Sequence, residues 1–264
     1  MRTVRTVAEA RDALRPRAGR IGLVPTMGAF HHGHLALMRA ARQDCDVVVV
    51  SVFVNPAQFN ASDDLARYPR DEAADIESAE AMGVDLVFAP SVEELYPDGF
   101  DTWVEAGALA RRLEGAARPG HFRGVATVCT KLFSIVRPAA AYFGRKDAQQ
   151  VAVIRRIVAD LNLPPQIIAV PTVRDSDGLA LSSRNVFLSP AERAVALALP
   201  RSLEAGAQAH RAGGDPVAAA RHVLDQQSGL TVEYVAIDDF DGPTLVAAVR
   251  VGTTRLIDNA SLHG

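Results

Sequence analysis

The chain has 264 residues, 48% of them hydrophobic, a formal charge of −3 and two cysteines. That length holds one large domain or two of ordinary size, and the charge gives no basic excess to suggest a nucleic-acid partner. Cys45 and Cys129 are too few for a disulfide framework and lack metal-ligand spacing, so they are expected as buried thiols. The N-terminus, with Arg2, Arg5 and Arg11, lacks the apolar core of a signal peptide. No apolar run approaches the ~20 residues that span a bilayer. The expectation is a cytoplasmic protein without a membrane partner.

In chain order, Ile21 to Val24 reads as a short buried strand and Leu35 to Arg42 as a helix. Val47 to Val54 is a β-branched run suited to a central parallel strand. A helix over Asp71 to Met82, closed by Gly83, leads to a strand over Val84 to Ala89. Val125 to Val136 is a helix stopped by Pro138, Ala140 to Phe143 a strand, Ala148 to Leu161 a helix and Gln166 to Val170 a strand. This alternation predicts an α/β fold, a doubly wound parallel (Rossmann-like) sheet with right-handed crossovers. The pattern changes near Val173. Ser189 caps a helix with Pro190 at its first position, and alanine-rich helices break around Gly213-Gly214-Asp215-Pro216. Strands over Thr231 to Ile237, Leu245 to Val251 and Thr254 to Ile257 follow. The expected division is 1–174 as the doubly wound domain and 175–264 as a smaller α+β domain. The segments from Gln58 to Arg70 and from Arg118 to Gly124 are expected to be functional loops.

Five segments carry chemistry. Pro25-Thr26-Met27-Gly28-Ala29-Phe30-His31-His32-Gly33-His34 joins a strand to a helix N-terminus, where backbone amides and the helix dipole favour anions. His31 and His34 could donate to a polyphosphate as imidazole or imidazolium; the alternative is a pair of incidental surface histidines. A zinc site is disfavoured, because no third ligand is spaced nearby. Asn55-Pro56-Ala57-Gln58-Phe59 follows the second strand at the carboxyl end, where such sheets bind ligands. Its amides suit hydroxyls or a carboxylate, although Asn-Pro is also an ordinary turn. Arg118-Pro119-Gly120-His121-Phe122-Arg123-Gly124 is an anion-binding loop, a mobile lid or a solvated basic loop. In Phe143-Gly144-Arg145-Lys146-Asp147-Ala148-Gln149-Gln150, Gly144 permits close approach, Lys146 can charge-pair a phosphate, and Asp147 can hold ribose hydroxyls or favour a helix start. Ser182-Ser183-Arg184-Asn185 is a phosphate clamp or a serine-rich interdomain loop.

Together these segments resemble the pantoate–β-alanine ligase family, from the Pro-Thr-Met-Gly turn to Leu256-Ile257-Asp258-Asn259. The first and last also resemble the signatures of the wider nucleotidylyltransferase and class I tRNA-synthetase superfamily. The resemblance implies that ATP, with Mg²⁺, adenylates pantoate and releases pyrophosphate. The amine of β-alanine then attacks the acyl adenylate, giving pantothenate and AMP. It implies catalytic roles for His31, His34, Lys146, Ser182, Ser183 and Arg184. It implies an ATP site of Met27, Gly28, His34, Gly144, Lys146, Asp147, Val173, Leu181, Ser182 and Arg184. Pro25, Thr26, Met27, Asn55, Gln58 and Gln150 would hold pantoate, with no resident metal ligands. A homodimer through the N-terminal domain and a C-terminal lid that excludes water are implied as well. Phe30, Ala148 and Leu181 depart from the commonest family pattern and bear on the shape of the nucleotide pocket. Two other readings stand beside this one. An adenylyltransferase for a phosphate-bearing metabolite would need a cationic acceptor site, which Gln58 and Gln150 do not supply. A non-catalytic nucleotide-binding module would leave both histidines, Lys146 and Arg184 without a purpose.

Overall fold

A computed structural model describes residues 1–60 and 62–263, without the side chains at 62–64. Two compact units emerge. The first comprises Met1–Gly144 and Gln149–Val170; the second comprises Arg145–Ala148 and the chain from Pro171 onward.

The first unit is built on six parallel strands: β1 (Arg2–Val4), β2 (Ile21–Thr26), β3 (Val47–Val52), β4 (Leu86–Phe88), β5 (Ala140–Gly144) and β6 (Gln166–Val170). Their order is β1-β4-β3-β2-β5-β6. The chain winds outward from β2 through β3 to β4, then returns to β5 on the other side of β2. The junction of β2 and β5 is therefore a topological switch point, where doubly wound sheets bind ligands. The β2–β5 ladder joins Gly22 to Ala140 and Leu23 to Ala141. By contrast, β2 stays paired with β3 to Thr26–Val52, and β5 with β6 to Gly144–Val170. The two central strands thus part toward their carboxyl ends.

Burial on both faces explains the unbroken valine run of β3. Val47 and Val49 face a core with Leu23, Phe88 and Phe133, whereas Val48 and Val50 face Met38, Ala41 and Tyr142 on the other side. Cys45 and Cys129 are buried thiols. Several elements differ from the sequence reading, which also lacked β1 and the short helices Val92–Leu95 and Glu114–Ala117. A helix over Val7–Leu14 follows β1, set by a capping box between Thr6 and Glu9. The segment from Gln58 to Arg70 contains a helix, Ser62–Arg67. The long helix starts at His121, one turn before Val125.

The second unit has three antiparallel strands, β7 (Leu230–Asp239), β8 (Pro243–Val251) and β9 (Thr254–Ser261), in that order. Helices Pro190–Ala196, Ala198–Arg211 and Pro216–Asp225 bring Leu199, Leu203 and Leu224 against Leu245, Val249 and Leu256 in a core of its own. No helix among the described residues is long and apolar enough to cross a membrane.

Candidate active site

The turn after β2 is shaped by a residue that the sequence reading passed over. Gly28 and Ala29 both have left-handed backbones, at φ +79° and +52°. That geometry brings the amides of Ala29 and Phe30 to the Asp75 carboxylate, at 2.8 and 2.7 Å. A Cβ on Gly28 would lie 2.6 Å from Asp75 Oδ2, so both the backbone and the space require glycine. Thr26 closes the other side, its Oγ1 donating to the Ser51 carbonyl at 2.6 Å and accepting from the Gly28 amide at 3.1 Å. Asp75 is buried on the helix Glu72–Ala81. Burial raises its pKa and the two amide hydrogen bonds oppose that rise. The available signal was an acid four residues before buried Ala79, on the inward face of that helix.

The two histidines cap the next helix, His32–Asp44, and each other. The Gly33 amide donates to His31 Nδ1 at 3.1 Å, and the His31 amide donates to His34 Nδ1 at 3.3 Å. This is a capping box made of imidazoles. Each Nδ1 is an acceptor, so the proton sits on each Nε2. The rings lie 4.2 Å apart between centroids, and Phe30 packs on His34 at 5.4 Å. Burial, reinforced by His31, lowers the His34 pKa to about 3. Of the two forms open to it in sequence, His34 is therefore neutral imidazole at physiological pH. His32 is exposed.

Asn55 and Gln58, both buried, sit on a one-turn helix at the end of β3. Asn55 Nδ2 donates to Gln58 Oε1 at 3.0 Å and to the Gly124 carbonyl at 3.1 Å, while Asn55 Oδ1 accepts from the Tyr96 hydroxyl at 2.9 Å. Gln58 Nε2 lies 3.0 Å from Met27 Sδ, which brings the ends of β2 and β3 together. In the Arg118–Gly124 segment, expected as a functional loop, residues 118–120 form a turn and residues 121–124 are helical. Its second half opens the long helix, and His121 Nδ1 and Arg118 Nη2 donate to the Gln58 carbonyl at 2.9 and 3.3 Å. A Cβ on Gly124 would overlap the Ala57 carbonyl, so that glycine lets the helix reach the turn. Two glycines in five residues hid a helix start.

Pro25 lies on β2 opposite Ser51, and Gly144 ends β5 across the switch point. Of the neighbouring glutamines, Gln149 is spent on structure. It donates to the Leu109 and Arg112 carbonyls at 2.9 and 2.8 Å and accepts from the Glu114 amide at 3.0 Å. Gln150 is half-buried.

The remaining site residues belong to the second unit. Lys146 sits in a single turn, Arg145–Asp147, with Nζ 3.7 Å from Asp147 Oδ1. Val173 and Leu181 face each other across a short hairpin, the Leu181 amide donating to the Val173 carbonyl at 3.0 Å. Ser182 caps the turn Ser183–Phe187, its Oγ accepting from the Arg184 amide at 3.3 Å. The acids of the hairpin are consumed by Arg193, which reaches Asp175 at 2.7 Å and Asp177 at 2.8 Å. Among the described residues, no group of three or more His, Cys, Asp or Glu is placed to hold a metal ion.

A family model described as pantoate-β-alanine ligase matches residues 1–261. The chain is 53% identical to a pantothenate synthetase of Roseiflexus castenholzii, covering all of both chains. It is 52% identical to one of Moorella thermoacetica over 100% of this chain and 99% of the other. Among solved structures, a pantothenate synthetase of Thermus thermophilus is 48% identical and superposes with a TM-score of 0.96, over 100% of both chains. A pantoate-β-alanine ligase of Francisella tularensis, complexed with β-γ ATP and β-alanine, is 34% identical with a TM-score of 0.87, over 99% of this chain and 98% of that one.

Proposed function

We propose that this chain, which belongs to the pantoate–β-alanine ligase family, divides that family's reaction among the residues described above. The chain is an ATP-dependent ligase that joins pantoate to β-alanine through an acyl adenylate. A carboxylate oxygen of pantoate attacks the α-phosphorus, and the bond to pyrophosphate breaks. The amine of β-alanine then attacks the acyl carbon, AMP leaves, and the amine gives up a proton. Neither step needs a protein nucleophile, so catalysis is positioning and charge stabilisation.

The observation that carries this reading is the imidazole capping box. Both Nδ1 atoms accept from backbone amides, which fixes the two rings at the helix start, and His34 offers its Nε2–H to the phosphates with His31 packed beside it. Because His34 is held neutral, it donates a hydrogen bond without giving up a proton. Met27 and Gly28 line the adenosine and pantoate sites, with Pro25 and Thr26 beside them. Asn55, Gln58 and Gln150 hold the hydroxyl and carboxylate groups of pantoate. Gly144 and Asp147 take the ribose, with Val173 and Leu181 against the nucleotide. Lys146, Ser182, Ser183 and Arg184 grip the phosphates.

Mg²⁺ enters with the nucleotide. It prefers phosphate and water oxygens to an all-protein cage, which fits segments rich in N–H and hydroxyl donors. Bound there it would offset phosphate charge, with Lys146, Ser182, Ser183 and Arg184 as the residues that would hold the phosphates around it. The acyl adenylate needs protection from water, and the second unit is assigned that lid role. Two copies associate through the first unit, in the cytoplasm; sedimentation of the purified chain tests the association. The decisive assay is incubation with ATP, Mg²⁺ and pantoate, with and without β-alanine. Pyrophosphate must depend on pantoate, and AMP on β-alanine. Pyrophosphate release driven instead by a phosphate-bearing acceptor would assign the chain to a different adenylyl transfer.

A further inference from the structure

We propose that Asn259 is a positioning residue for Lys146, an inference that rests on the ligase reading in which Lys146 holds the nucleotide phosphates. Asn259 lies near the end of β9, opposite Val246. Asp258 and Asn259 are adjacent, polar and both buried, at 3% and 6% exposure. Alternation puts successive side chains of a strand on opposite faces. Asp258 shares its face with Leu256 and Ala260, which pack in the helix-covered core. Asn259 therefore belongs to the other face, and the Arg145–Asp147 turn is what it meets there.

The side-chain amide uses one nitrogen for two bonds. Asn259 Nδ2 donates to the Arg145 carbonyl at 2.9 Å and to the Lys146 carbonyl at 2.8 Å. Those carbonyls belong to the peptide planes on either side of the Lys146 Cα. Fixing both planes fixes the direction in which the Lys146 side chain leaves the backbone. A three-residue turn has little internal hydrogen bonding with which to do this itself.

Asn259 is in turn anchored. Its backbone N–H donates to Asp258 Oδ1 at 2.8 Å. The Asp258 carboxylate accepts a two-pronged bond from Arg174, at 2.6 and 3.1 Å. Arg174 also donates to the Gly178 carbonyl at 3.1 Å and bridges to Ala180, two residues before Ser182. A strand that could have been packed with apolar side chains thus carries a buried, satisfied polar network that leads to Lys146.

The test is a double-mutant cycle in the pantoate-dependent pyrophosphate assay. Asn259→Asp keeps the shape of the side chain and replaces two donated hydrogens with an oxygen facing two carbonyls. It is expected to lower kcat/KM for ATP on the order of 10²-fold, the scale of a ~1 Å misplacement. Because Asn259 acts through Lys146, the same substitution in a Lys146→Ala background is expected to change the residual rate less than about twofold. An undiminished rate in the otherwise native chain, or an equal loss in both backgrounds, overturns the proposal. If Asn259→Asp does not fold, Asn259→Ser is read by the same criteria. A Lys146→Ala enzyme with the native rate would instead overturn the role of Lys146, a result obtained before any change at Asn259.

Discussion

At the scale of single residues, the site is governed by which atoms the backbone leaves over. The spacing of His31 and His34 was legible in sequence, and so was their place at a helix start. Their protonation was not, because it depends on two backbone amides and on burial. With Nε2–H as the donor left to it, replacing His34 by alanine is expected to cost on the order of 10²- to 10³-fold in kcat, the range for a lost charge-stabilising donor. Pantoate-dependent pyrophosphate release measures it. The same residue sets a pH dependence. Its folded pKa is about 3, against about 6.5 in the unfolded chain, so below that value the unfolded state takes up the proton first. The contribution of neutral His34 to stability is whole above pH ~6.5 and is lost as pH falls toward the folded value. Urea midpoints measured from pH 7.5 downward should therefore fall more steeply for the native chain than for the His34→Ala variant. Asp75 shows the limit of reading residues one at a time. One acid among the four of its helix looks like surface, and only the left-handed turn at Gly28 and Ala29 reveals what it holds.

At the scale of elements, periodicity located most helices and strands, and glycine misled. The helix His121–Val136 has buried residues through its first turn, including His121 and Phe122. Gly120, at φ +84°, and Gly124 made that turn resemble a loop. Gly124 is there for contact with the Asn55–Gln58 turn, not for flexibility. Gly124→Ala should force the helix and the turn apart, at ~1–3 kcal/mol, the usual cost of overpacking. The loss should appear mainly as a raised KM for pantoate, because Gln58 and Asn55 move while the histidines stay. An unaltered KM in a folded Gly124→Ala enzyme would remove Asn55 and Gln58 from the pantoate site. The helix Val7–Leu14 went unread in sequence, although Thr6 and Glu9 have the spacing of a capping box.

At the scale of the whole molecule, the chain carries two separate kinds of core. One is layered on both faces of a parallel sheet; the other lies between helices and one face of an antiparallel sheet. Leu224 is fully buried in the second. Leu224→Ala is expected to destabilise that unit by ~2–5 kcal/mol. Hydrogen exchange should report the change in the amides of β7 to β9, with those of β2 and β3 little altered. Uniform loss of protection across both sheets would show that the two cores unfold together.

The sequence by itself determined the alternation that makes a doubly wound sheet, the change of pattern toward the C-terminus, and the motifs that place the chain in its family. These are local signals, written in periodicity and in short runs of residues. Only the tertiary structure decided that the Arg118–Gly124 segment is a buttress, that Gln149 is structural while its neighbour is half-buried, and that His34 is neutral. It also decided that residues 145–148 belong with the C-terminal unit and that Asn259 grips the turn bearing Lys146, more than a hundred residues earlier. The reason is physical: burial, tautomer and hydrogen-bond partner are properties of what a side chain meets, and the chain meets itself only when folded. The Pro25–His34 turn contains both halves of that lesson. In sequence its residues raise the expectation of phosphate chemistry, and its geometry comes from Asp75.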